Sequence, residues 1–176
     1  TYLRKTFPNS ILFDFLETDL FFEFSKAPSR LREVLLTREA EARRSPVILD
    51  EVQKIPPILD EVQWLIENKK FSFILCGSSA RKLKRGRGNL LGGRAWRFEM
   101  FPLVTPELKD FSLLRVLNHG AIPIHYFEDE PEKSLKAYIH DYLKEEVFEE
   151  GLVRNLPAFS RFLDAAGFSH GELVNY

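Results

Sequence analysis

A chain of 176 residues with 44% hydrophobic side chains has enough apolar surface for one ordinary domain, or one domain and a short appendage. Its 25 basic and 26 acidic residues leave a formal charge of −1, which excludes a polyelectrolyte that holds nucleic acid through net charge alone. The single cysteine, Cys76, excludes an internal disulfide framework and any multi-cysteine zinc site, and 16 phenylalanines point to an aromatic core.

In chain order, residues 10–15 (SILFDF) read as a buried strand. Thr18 or Asp19 caps a short helix through Phe24, and Ser25–Pro28 breaks it. Residues 29–43 read as one helix with Leu31, Val34, Leu35 and Ala42 on one side, stopped by Pro46. Residues 47–50 (VILD) are a short apolar run ending in an acid. Residues 57–67 form a helix opened by proline, whose apolar stripe is Ile58, Leu59, Val62, Leu65 and Ile66. Residues 71–76 (FSFILC) are strand-like and lead into Gly77-Ser78-Ser79. Residues 96–101 (WRFEMF) alternate apolar and charged, as in a strand with one wet face. Strand, helix and strand over 47–76 is the pattern of a βαβ unit in a parallel sheet. Beyond Pro102, segments 106–117, 131–150 and 158–167 read as helices. The long one carries a stripe of Leu135, Tyr138, Ile139, Tyr142, Leu143 and Val147. The expected fold is α/β, a parallel sheet with flanking helices over 1–104, followed by a small α-helical lobe over 105–176.

No stretch approaches the roughly 18–20 unbroken apolar residues of a membrane span, and no signal-peptide pattern is visible. The expectation is a soluble, cytoplasmic protein without a membrane partner. The chain starts at Thr1 with no Met, so its native start is expected elsewhere.

Asp50 and Glu51, at the carboxyl end of VIL, carry the strongest chemical signal. In open parallel sheets the ligand crevice lies beyond the carboxyl ends of the strands. An acid there can hold magnesium, usually through water, against nucleotide phosphates, and a neighbouring acid can activate the attacking water. This is the Walker-B arrangement; the same pattern also suits two acids that merely cap the next turn. Ser78 and Ser79 stand in the equivalent place one strand along, where a hydroxyl can sense a terminal phosphate or simply form a Gly-Ser turn. Arg94 follows a basic loop and can reach a phosphate in a neighbouring subunit, or pair with the acidic helix 131–150.

Residues 81–97 carry seven basic side chains and no acid, a local charge of +7. Through Arg81, Lys82, Lys84, Arg85 and Arg87 this segment could bind nucleic acid, with Trp96 near for stacking. A solvated loop has the same composition. No G-x-x-x-x-G-K-[ST] occurs: the nearest run, Gly88 to Ala95, has Arg94 for lysine, Ala95 for the hydroxyl residue, and leads into strand-like sequence. His119, His125, His140 and His170 are scattered without ligand spacing and read as surface or helix-end residues. Cys76 reads as an inert core thiol.

Three blocks in one order, VILDEVQKIPPILDEVQWLIE (47–67), FILCGSSARKLKRGRGNLLGGRAWRFEMFPL (73–103) and EEGLVRNLPAFSRFLDAAGFSHGELVNY (149–176), closely resemble a family of prokaryotic AAA+-superfamily P-loop ATPases with an additional C-terminal domain. The resemblance implies ATP and Mg2+ as ligands and a homo-oligomer in the parent protein. It implies Asp50 on magnesium, Glu51 as catalytic base, and Ser78 or Ser79 as sensor. Arg94 would be the arginine finger, with Arg97 as fallback. It also implies a Walker-A loop just before TYLRKTFP, with Thr1 at or next to its hydroxyl position. A nucleic-acid-binding module acting through 81–97, and a non-catalytic ATPase-like scaffold, are the alternatives.

Overall fold

The computed structural model describes residues 2–77, 91, 95–142, 147 and 153–169. Two compact units follow one another along the chain, Thr1–Trp96 and Arg97–Tyr176.

The first unit is α/β. Its sheet has three parallel strands in the order β1 (Leu12–Asp14), β2 (Val47–Asp50) and β3 (Phe73–Leu75). The register pairs Leu12 with Ile48 and Asp14 with Asp50 on one side of β2, and Ile48 with Ile74 on the other. Central position explains the composition of β2: Val47, Ile48 and Leu49 are all buried, as a strand covered on both faces requires. β3 pairs with β2 alone among the described residues, and its three residues are only half-buried.

Helices cross over between the strands. After α1 (Tyr2–Thr6), α2 (Thr18–Lys26) connects β1 onward. It starts at Thr18 behind Glu17, with no side-chain cap, so neither Thr18 nor Asp19 plays the expected capping role; Asp19 instead lies in the first turn, where the helix dipole favours an anion. Its buried Phe24 meets Phe13 edge-on at 5.3 Å and Phe15 at 5.8 Å, the aromatic centre of the core. The helix expected over 29–43 is two helices, α3 (Arg30–Thr37) and α4 (Glu39–Arg44), broken at Arg38 (φ −114°, ψ 33°). Thr37 Oγ1 donates to the Val34 carbonyl at 2.8 Å, a side-chain bond that competes with helix continuation. α5 (Ile58–Lys69) is the crossover between β2 and β3; it buries Ile58, Leu59, Val62 and Leu65 and ends on Lys70 in the left-handed conformation (φ 58°). α3 packs against α5, joining Leu31 and Leu35 to the same cluster. Outside that contact, Arg32 lies over the Trp64 ring at 5.0 Å.

The segment 96–101 is not a strand. It has no ladder, and Trp96, Phe98 and Met100 are 88%, 85% and 94% exposed. Alternation prepares a segment for a sheet, but a strand exists only once a neighbour takes its amides.

In the second unit the described elements are helical. The helix expected over 106–117 is shorter: a 3-10 turn spans Thr105–Glu107, and α6 (Leu113–His119) starts where Ser112 Oγ accepts from the Arg115 amide. A one-turn α7 (Pro123–Tyr126) follows. α8 is described over Pro131–Tyr142; its stripe residues Tyr138, Ile139 and Tyr142 keep 40%, 50% and 42% of their surface exposed. α9 (Leu156–Phe168) starts on an Asn155 side-chain cap. His125 stands in the last turn of α7, as a helix-end residue would, but it is not at the surface. It is 5% exposed, with Nδ1 3.0 Å from Ser134 Oγ and its ring against Tyr138.

Candidate functional site at the carboxyl end of the sheet

The register brings acids to one rim. β1 ends on Asp14 and β2 on Asp50, directly paired, and Glu51 follows Asp50. The ladder continues past the strands: the Phe15 amide donates to the Asp50 carbonyl at 3.2 Å, and the Cys76 amide to the Leu49 carbonyl at 2.9 Å. The chain then turns sharply. Glu51 has φ 54° and ψ 38°, a left-handed conformation that costs an L-residue about 1–2 kcal/mol. It opens the 3-10 turn Val52–Lys54, whose first amide, Val52 N–H, donates to the Cys76 carbonyl at 3.0 Å. The turn is thereby pinned to the exit of β3.

Side-chain bonds set the rim further. Asp50 Oδ1 accepts from the Glu51 amide at 3.1 Å, and Glu51 Oε2 accepts from Gln53 Nε2 at 2.5 Å. Asp14 Oδ1 accepts from the Leu16 amide at 3.0 Å, while its other oxygen lies 3.9 Å from the Arg4 guanidinium of α1. That ion pair is long and its arginine is 57% exposed, so it contributes little to stability. The rim is electronegative, and Cys76 registers this: burial first, then the charges of Asp50 and Glu51, push its thiol pKa up. A thiol shifted this way is a weaker nucleophile at neutral pH than an exposed one.

Among the described residues no three acidic, histidine or cysteine side chains close into a metal cage. The donors that are present are carboxylate oxygens. That suits magnesium, which keeps several waters and needs one or two carboxylates with substrate phosphates rather than a protein cage.

Asp50 and Glu51 are therefore together at the carboxyl end of the central strand, as the sequence suggested. Ser78, Ser79, Arg94 and Thr1, and the basic residues Arg81, Lys82, Lys84, Arg85 and Arg87, lie outside the described residues, as does His170. Arg97 pairs with Glu99 at 2.5 Å on an exposed stretch. Two rim residues escaped the sequence reading. Asp14 had a usable signal, since SILFD ends in an acid as VILD does. Gln53 had none, because its burial follows from the turn.

Comparison with known families decides the matter of kinship. A family described as an AAA domain matches residues 1–109. The chain belongs to that family. Searches of curated proteins and of solved structures find no match. An AAA domain is an ATPase-like module, and its sheet and acid rim lie within the matched residues. No helix among the described residues of this AAA domain is long and apolar enough to cross a membrane.

Proposed function

We propose that this AAA domain binds Mg-ATP and hydrolyses it at the rim formed by Asp50 and Glu51. The observation that carries the reading is the acid pair at the end of a buried parallel strand, with Glu51 set in a left-handed turn. A residue held in a costly conformation, bonded to Gln53 and followed by Val52, whose amide is pinned to the Cys76 carbonyl, is what a positioned base requires.

In this reading residues 1–104 are the nucleotide-binding core and 105–176 a helical lobe. Asp50 would hold magnesium, whose chemistry there would be neutralisation of phosphate charge. Glu51 takes the proton of the attacking water while its oxygen bonds to the terminal phosphorus; the bond to the ADP oxygen breaks and ADP leaves with the electron pair. Ser78 or Ser79 hydrogen-bonds the terminal phosphate, and Arg94 reaches a neighbour's nucleotide in a homo-oligomer. No phosphate-cradling G-x-x-x-x-G-K-[ST] lies within the 176 residues, so the reading requires that loop from outside them, ahead of α1 with Thr1 at its end.

The test is Glu51→Gln in the full-length protein. ATP binding by calorimetry should persist within a few-fold, while phosphate release should fall by at least about 100-fold. Turnover at the normal rate removes Glu51 from its role.

A further inference from the structure

We propose that Gln53 is the positioning residue for Glu51, a latch that holds the base carboxylate in one setting and ties that setting to the exit of β3. This rests on the reading of Glu51 as base. A carboxylate only accepts hydrogen bonds, so Gln53 must present its NH2 to Glu51 Oε2, and it does so at 2.5 Å. Its carbonyl end is then turned the other way. There it meets Gly77: a Cβ built on Gly77 would fall 2.1 Å from Gln53 Oε1. The side chain thus spans from Glu51 to the last described residue before Ser78.

Burial marks this span as more than filler. Gln53 is 7% exposed in a turn whose neighbour Val52 is buried in the core. A methionine of similar length would fill the same volume without an amide to satisfy, so packing alone does not call for glutamine. The turn on either side of it is held as well: the Val52 amide is bonded to the Cys76 carbonyl, and the Lys54 amide donates to the Glu51 carbonyl at 3.0 Å. Set in this pinned turn and buried, Gln53 restrains Glu51 through its Nε2 bond. Because Gly77 has no side chain, the amide fits, and any shift of the β3 exit displaces the amide and with it the carboxylate. Misplacing a catalytic group by about 1 Å costs on the order of 100-fold in rate.

The experiment measures kcat and KM for Mg-ATP hydrolysis in the full-length protein for wild type, E51Q, Q53M, G77A and the double variant E51Q/Q53M, with thermal melts of each. Q53M removes the donor at nearly constant volume, and G77A displaces the amide while both partners keep their identity. Both should lower kcat by about 10- to 100-fold with KM within about 2-fold and the melt near wild type. Q53M should add nothing on the E51Q background. A kcat within 2-fold of wild type or above it in both single variants overturns the latch, as does a further multiplicative loss in the double variant. Should Q53M fail to fold, G77A decides alone. The two proposals separate cleanly: full turnover by E51Q ends the hydrolase reading and the latch with it, whereas an inactive E51Q beside fully active Q53M and G77A variants ends only the latch.

Discussion

Glu51 is one of two non-glycine residues with positive φ among the described residues, and its backbone can be weighed directly. Replacing it by glycine or by alanine removes the carboxylate and its bond to Gln53 in both cases. The difference between the two variants isolates the left-handed turn. Alanine at φ 54° retains a Cβ against the following carbonyl, at about 1–2 kcal/mol. Glycine escapes that cost but loses more chain freedom on folding, which takes back about 0.4–1 kcal/mol. Glu51→Gly should therefore be more stable than Glu51→Ala by roughly 0.5–1 kcal/mol. With a urea slope of about 2 kcal/mol/M, the midpoint should lie about 0.3–0.5 M higher for the glycine variant. Far-UV circular dichroism during urea titration reads it. An alanine variant as stable as the glycine variant, or more so, refutes the argument that this turn is held against its own preference.

The same reasoning applies at Lys70, the left-handed end of α5: Lys70→Gly should be more stable than Lys70→Ala by roughly 0.5–1 kcal/mol in the same titration, and a reversed order counts against it. Phe24→Ala, which empties the aromatic centre shared with Phe13 and Phe15, should cost about 3–5 kcal/mol; a loss under 1 kcal/mol on urea titration would show that centre to be loosely packed. Cys76 should alkylate with iodoacetamide along a pH profile whose midpoint lies above that of an ordinary thiol, and Asp50→Asn should lower that midpoint. The linked stability has the corresponding sign. The neutral thiol is favoured in the fold, so its contribution is complete below the thiol's unfolded pKa and is lost as pH rises through the folded one. A midpoint at or below the ordinary value contradicts it.

The parts of this molecule legible in the sequence are those set by short-range rules. The run Val47-Ile48-Leu49 before Asp50 announces a central parallel strand because only full burial on both faces tolerates such a run. The stripe of α5 identifies its buried face for the same reason. The break at Arg38 was not legible, since neither glycine nor proline marks it and the apolar spacing runs through. The alternation of 96–101 was real, yet pairing is a property of two segments and cannot be read from one. At the rim, the acid pair was visible from its place after a strand, whereas Gln53 depends on a left-handed residue two positions earlier and on a glycine 24 positions later. Tertiary adjacency of that kind leaves no local trace. The burial of His125 leaves no local trace either, because its partner, Ser134, comes from the next helix.

Trp64 and Trp96 are the only tryptophans of the chain, and both belong to the unit Thr1–Trp96. Their surroundings differ sharply: Trp64 is 36% exposed beneath the Arg32 guanidinium, while Trp96 is 88% exposed. Emission excited selectively at the tryptophans therefore carries no fluorophore of the helical unit, whose aromatic emitters are tyrosines. Trp96 supplies a red-shifted, nearly constant background in folded and denatured chains alike, and Trp64 supplies the change. An emission shift during denaturation dates the melting of the α/β unit, the one that holds Asp50 and Glu51, and a dichroism signal lagging behind it belongs to the helices after residue 97.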